Sequence, residues 1–213
     1  MKIFLDTASV TTVRNLWMTG LIDGVTTNPT LIRRSGADPL KVYDKLVEMG
    51  VPDISMEVSG DFETMLEQGE YLHETFGPAA TIKLPMTKDG LLASQILTDK
   101  DIRTNITLVF TIPQAILAAK AGATYVSPFV GRLDDQQVAG LEVVRGISGL
   151  FMQKGVQTKI IAASIRTVQR AVRSWYNGAD IVTMPPEIFE KMYDHILTDV
   201  GLDIFEKDLA AMS

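Results

Sequence analysis

Short apolar runs alternate with amphipathic stretches from one end of this sequence to the other, and that alternation restricts its fold more than any other feature. The strand-like runs are Ile3–Asp6, Gly24–Thr27, Ile54–Val58, Thr81–Pro85, Asn105–Phe110, Tyr125–Val130, Lys159–Ser164 and Asp180–Met184. They are apolar nearly throughout, as in strands covered on both faces. Helical patterns fall between them. One is Asp89–Leu97, with Leu91, Leu92, Ile96 and Leu97 on one face; another is the Ala- and Leu-rich Pro113–Ala121; a third runs from about Asp134 to Lys154. Covered strands separated by helices predict an α/β protein with a parallel sheet. About eight such units close into a (β/α)8 barrel, the TIM-barrel architecture, and 213 residues lies near the short end for it. A doubly wound open sheet is the alternative, but no Gly-x-Gly-x-x-Gly follows the first strand to support dinucleotide binding. Ile204–Met212 reads as an extra C-terminal helix, whose apolar face suits packing on a neighbouring subunit. Residues 1–213 show no linker or low-complexity tract, so one barrel domain is expected.

Composition removes several function classes. The chain is 46% hydrophobic and 22% charged, ample for one sizeable core. Its net charge of −6 argues against a nucleic-acid or anionic membrane surface, although a local pair of arginines can still hold a small anion. With no cysteine, disulfides, thiolate catalysis and Cys-ligated metals are excluded. His73 and His195 are far apart without ligand spacing, and both are expected as surface helix residues. Met1–Asp6 is a strand pattern rather than a signal peptide, and no apolar run approaches the roughly 18 residues that span a bilayer. A soluble cytoplasmic protein is therefore expected.

The position of the polar residues is more specific. Lys83 sits inside the apolar run Ala80–Pro85. A free lysine titrates near ~10.4, so presenting it neutral at pH 7 costs about 4.6 kcal/mol unless the site lowers that value. A neutral buried amine is a nucleophile for carbonyl carbon. Other polar residues also lie toward strand ends: Asp6 on the first; Thr26, Thr27 and Asn28 on the second; Glu57 on the third; Asn105 and Thr107 on the fifth; Ser127 on the sixth, followed by Arg132; Ser164 on the seventh, followed by Arg166. In a (β/α)8 barrel the C-terminal ends of the strands form the active-site face. A ring of polar groups there is hard to explain as packing, because each buried one needs a partner.

Each has a plainer use as well. Lys83 can hold its head in water from an edge strand. Asp6 can cap the first helix, Asn28 can form a turn before Pro29, and Thr107 and Ser127 can bond local backbone. Arg132 can pair with Asp134 or Asp135, and Arg166 can be an ordinary first-turn helix residue. Glu57, between Met56 and Val58, requires a partner or a raised pKa.

Taken together, Phe4-Leu5-Asp6-Thr7, Gly24-Val25-Thr26-Thr27-Asn28-Pro29-Thr30, Ile82-Lys83-Leu84-Pro85-Met86-Thr87, Thr104-Asn105-Ile106-Thr107-Leu108-Val109-Phe110, Ala121 through Arg132 and Ala162-Ala163-Ser164-Ile165-Arg166 resemble the transaldolase family. Within it they resemble the short group that also holds the fructose-6-phosphate aldolases. The matching segments run in family order over nearly the whole chain. The resemblance implies a (β/α)8 barrel and aldol transfer between sugar phosphates, in the pentose phosphate pathway, through a lysine Schiff base. It implies no metal, no organic cofactor, and a homo-oligomer, decameric or pentameric. It implies Lys83 as the Schiff-base lysine beside an arginine charge, Asp6 as the base that opens the C3–C4 bond, and Glu57 with Thr107 as proton carriers through a water. Thr26, Asn28, Asn105, Ser127 and Phe129 would line the substrate, and Arg132, Ser164 and Arg166 would hold its phosphate. Transaldolases carry Glu on the third strand and Phe in the Ser-Pro-Phe segment, where the aldolases carry Gln and Tyr. Glu57, Phe129 and the polar Asn105 therefore favour a transaldolase; the alternatives are an aldolase that releases free dihydroxyacetone, and a barrel that only binds sugar phosphates.

Overall fold

The computed structural model describes residues 1–212. The elements run β1 (Lys2–Asp6), α1 (Val10–Trp17), β2 (Gly24–Thr26), α2 (Pro29–Ser35), α3 (Pro39–Glu48), β3 (Ile54–Glu57), α4 (Phe62–Phe76), β4 (Ala80–Pro85), α5 (Lys88–Asp99), β5 (Thr104–Val109), α6 (Ile112–Lys120), β6 (Tyr125–Pro128), α7 (Val130–Asp135), α8 (Gly140–Lys154), β7 (Lys159–Ala162), α9 (Val168–Tyr176), β8 (Ile181–Met184), α10 (Pro186–Glu190) and α11 (Ile196–Ala211). Strands β1 to β8 close in sequence order into a barrel, with β8 parallel to β1. The (β/α)8 barrel with an extra C-terminal helix is thus the observed architecture.

Local chemistry fixes the helix starts. Ser9 caps α1, accepting from the Thr12 amide, and α2 and α3 each carry a proline in the first turn. Thr111 and Gln114 form a reciprocal capping box on α6. Two expectations are corrected here. The pattern from Asp134 to Lys154 is two helices, because Gln137 adopts a φ of 58° and the chain turns before Gly140. A Cβ on Gly140 would meet the Val130 carbonyl oxygen at 2.6 Å, so α8 starts where only glycine fits against α7. The last helix begins at Ile196, well before Ile204, because the His195 ring accepts from the Leu197 amide and caps it. His195 is therefore a cap, while His73 lies half-buried in α4.

Two apolar layers form. The larger packs the outer strand faces against the helices, with Val25, Ile54, Met56, Ile82, Leu84 and Ile106 fully buried. Inside the barrel, Phe4, Tyr125, Ile161 and Ile181 make a small plug. Gly24 makes room for it: a Cβ there would stand 2.6 Å from the Phe4 ring. Beneath the plug, at the N-terminal strand ends, the buried Asp53 carboxylate accepts from Thr81 Oγ1 at 2.8 Å, Arg103 Nη1 at 2.9 Å and Tyr125 OH at 2.7 Å. The polar residues above the plug therefore face the open C-terminal end. Along α11, Ile196, Leu197, Ile204, Phe205 and Leu209 are exposed. Among the described residues, no helix is long and apolar enough to cross a membrane.

Candidate active site

Register assembles the floor of the site. Glu57 on β3 pairs with Lys83 on β4, and Lys83 with Asn105 on β5. Residues paired across parallel strands point to the same face, so all three side chains project into the barrel. Lys83 is only 5% exposed. Its Nζ donates to the Thr27 carbonyl oxygen at 2.9 Å and pairs with Glu57 Oε2 at 2.9 Å. The plainer alternative of an edge-strand lysine with its head in water fails: Lys83 is buried, and its ion-pair partner is a carboxylate. Arg132 and Arg166, which follow β6 and β7, are exposed, and Arg132 lines the same cleft as Lys83.

Asp6 stands on the other side of the cleft. Its Oδ1 accepts from Thr26 Oγ1 at 2.9 Å, and Thr26 Oγ1 lies 2.6 Å from Thr183 Oγ1. Burial pushes the Asp6 carboxyl above the ordinary 3.8, opposed by the nearby Lys83 charge and the Thr26 bond. Asp6 does not cap α1, since Ser9 does. Asn28 does both things expected of it: Oδ1 caps α2 through the Leu31 amide at 3.0 Å, and the side chain lines the cleft.

A chain of buried polar groups braces the floor. Asn105 Nδ2 donates to Ser55 Oγ at 3.2 Å, and Asn105 Oδ1 accepts from Ser127 Oγ at 2.7 Å. Thr27 Oγ1 donates to the Ser55 carbonyl at 2.9 Å and lies 3.2 Å from Tyr43 OH. Burial pushes the Tyr43 phenol up, so it stays protonated behind Thr27 and Lys83. The Thr107 hydroxyl is buried without a hydrogen-bond partner, so neither Thr107 nor Ser127 serves local backbone.

At the rim, the plainer surface pairing of Arg132 fails. The Arg132 guanidinium lies over the Phe129 ring, 4.9 Å from its centroid, rather than on Asp134 or Asp135. Those carboxylates hold other arginines: Asp134 pairs with Arg170 at 3.1 Å, and Asp135 grips Arg166 through both carboxylate oxygens. Ser164 adopts a φ of 58°, and a Cβ on Gly131 would stand 2.1 Å from the Ser164 carbonyl oxygen. A strained residue held against a glycine at the end of β7 is a feature of built sites.

Asp6, Thr26, Asn28, Lys83, Ser127, Phe129, Arg132 and Ser164 line one cleft of about 110 Å³. Glu57, Asn105, Thr107 and Arg166 are not among its lining residues, although Glu57 contacts Lys83 and Asn105 contacts Ser127, which are. Thr183, Ser55 and Tyr43 were not anticipated. Thr183 had a legible signal, a hydroxyl inside the apolar run Ile181–Met184; Tyr43 had none, since a helix tyrosine usually packs. Among the described residues, no three acidic or histidine side chains converge as metal ligands. The arrangement offers a buried amine between two carboxylates, suited to nucleophilic attack on a carbonyl with acid–base assistance.

Comparison with known proteins gives the same direction. The Transaldolase/Fructose-6-phosphate aldolase family profile matches residues 3–212. A probable transaldolase of Caulobacter vibrioides (strain NA1000 / CB15N) is 44% identical over 212 residues, covering 99% of this chain and 97% of that protein. A probable transaldolase of Ruegeria pomeroyi (strain ATCC 700808 / DSM 15171 / DSS-3) is 45% identical over 212 residues, with the same coverage.

Proposed function

The chain belongs to the transaldolase/fructose-6-phosphate aldolase family, and we propose that within it the protein is a transaldolase working through a Schiff base on Lys83. The reading is carried by one observation: a buried lysine whose Nζ is 2.9 Å from Glu57 Oε2, in a cleft that Asp6 also lines. Donor ketose phosphates would be fructose 6-phosphate or sedoheptulose 7-phosphate, and acceptors erythrose 4-phosphate or glyceraldehyde 3-phosphate.

The contacts support the following steps. Lys83 passes a proton to Glu57 and its free amine attacks C2 of the ketose. Glu57 returns the proton to the C2 hydroxyl, which leaves as water to give the iminium. The lone buried hydroxyl of Thr107 suits a water carrying that proton. Asp6, raised by burial, takes the proton of the C4 hydroxyl. The C3–C4 electron pair moves into the iminium, an aldose phosphate leaves, and the three-carbon enamine stays on Lys83 until an acceptor aldehyde reverses the steps. Asn28 and Ser127, with Asn105 behind them and Thr26 orienting Asp6, hold the three-carbon hydroxyls. Arg132, Ser164 and Arg166 hold phosphate, Arg166 by exchanging Asp135 for the ligand.

The test is release of glyceraldehyde 3-phosphate from fructose 6-phosphate through a coupled dehydrogenase, with and without erythrose 4-phosphate. Acceptor-dependent turnover supports the transferase; equal turnover without acceptor identifies an aldolase. Borohydride with substrate traps an adduct on Lys83 in either enzyme and none in a binding barrel. The exposed apolar residues of α11 support assembly into a pentamer or decamer, and a sedimentation mass near 23.4 kDa would refute it.

A further inference from the structure

We infer that Arg34 is an anion-binding residue for the phosphorylated end of the substrate, on an outer groove that it lines together with Arg132. The inference rests on the transaldolase reading for the identity of the ligand, but its geometry is independent of it.

The inner cleft is small. At about 110 Å³ it has room for about four waters at the roughly 30 Å³ each occupies in the liquid, a space on the scale of the three-carbon unit bonded to Lys83 and too little for a whole ketose phosphate. The remainder of the chain must leave it. An outer groove of about 500 Å³ shares Asp6, Asn28 and Arg132 with the inner cleft and continues to Arg34. Two arginines therefore line this groove. Of these two spaces Arg132 borders both and Arg34 only the outer one, from which a further groove continues along Thr7, Leu31 and Ser35.

Arg34 is exposed on the last turn of α2 and has no ion pair or hydrogen bond among the described residues. Asn28, which caps α2 through Leu31, fixes that helix to the floor of the site, so Arg34 is carried on an element tied to the chemistry. Its exposure alone would be unremarkable. What distinguishes it is that it stands unpaired on a groove continuous with the cleft, whereas Arg166 must first give up Asp135 before it can hold a ligand. Glu187 lies on the same groove wall and repels a phosphate, so Arg132 unaided would meet the ligand against an opposing charge. A second guanidinium offsets that repulsion and gives a planar donor fork to the phosphate oxygens.

The test uses full-length Arg34→Gln and Arg34→Lys proteins. With fructose 6-phosphate as donor, KM for erythrose 4-phosphate should rise about tenfold or more in Arg34→Gln, while kcat/KM for unphosphorylated D-erythrose stays within about twofold of wild type. Arg34→Lys should recover part of the loss. Equal losses for both acceptors, or no loss for either, would overturn the inference. Titration with inorganic phosphate supplies a readout independent of turnover: Arg34→Gln should bind it about tenfold more weakly than wild type, and unchanged phosphate binding counts against the assignment. Borohydride trapping on Lys83 separates the two claims, because wild type that binds phosphate through Arg34 but traps no adduct refutes the transaldolase reading alone.

Discussion

Glu57 and Lys83 face each other in register on adjacent strands, Oε2 to Nζ at 2.9 Å, with the lysine 5% exposed. A buried pair of this kind is weak evidence for stability, since removing two charges from water offsets most of their attraction. It is well suited to proton exchange. Glu57→Gln keeps the shape and removes the acceptor. We expect kcat to fall about 10²–10⁴-fold with the circular dichroism spectrum unchanged. A loss below about tenfold would place the proton carrier elsewhere.

Asp6 should trade stability for function. Its carboxyl is raised above 3.8 chiefly by burial. For a raised acid the sign is fixed: the folded state binds the proton more tightly, so the contribution is favourable below the ordinary value and is lost as pH rises through the raised one. At neutral pH the charged Asp6 therefore works against folding. Asp6→Asn should abolish transfer yet raise Tm at pH 7 by about 2–4 °C, the shift that 1 kcal/mol gives a chain of this size. The gain should shrink on acidification toward pH 3.8. Thermal scans of both proteins across that range check it, and a constant difference would refute the burial argument.

Much of this was legible in the residues because a barrel converts chain position into spatial position. Lys83, Glu57 and Asn105 fall at matching points of successive strands, so polar residues near strand ends were bound to converge. What the sequence hides is pairing between groups on different elements. Nothing local says that Arg166 turns to Asp135 while Arg132 stacks on Phe129, because each arginine has several carboxylates within reach along the chain. Boundaries set by a single backbone angle, such as the break at Gln137, are hidden for the same reason: no glycine or proline marks them. The Asp53 cluster joins residues from four separate segments, which periodicity cannot foresee.

Phe129 tests the balance between transfer and release. Its ring lies under Arg132 and 5.8 Å from the Phe110 ring, at the wall of the cleft, without a hydroxyl to orient water toward the enamine. Phe129→Tyr adds that hydroxyl and keeps the ring. The ratio of free dihydroxyacetone to transferred product should rise several-fold at constant acceptor concentration. An unchanged ratio would mean that the wall at Phe129 does not govern the fate of the enamine.

Asp53 should separate stability from catalysis, because it lies at the N-terminal strand ends, across the Phe4 plug from Lys83. Its carboxylate is 3% exposed and takes hydrogen bonds from Thr81, Arg103 and Tyr125. Asp53→Ala strands the buried Thr81 and Tyr125 hydroxyls and removes the ion pair of Arg103, which keeps the Pro52 and Pro78 carbonyls, so unfolding free energy should fall by about 3 kcal/mol. Urea titration should show a lower midpoint with an unchanged slope. Tyr125 supplies a second readout. Burial first, and the Asp53 charge next, push its phenol well above the ordinary value of 10. Removing that charge should bring the phenol's ultraviolet titration back down. Turnover of the folded variant should stay within about twofold of wild type, since conservation of the site above the plug depends on the β3–β5 register rather than on this cluster. A large loss of kcat with little loss of stability would show instead that the two ends of the barrel are coupled.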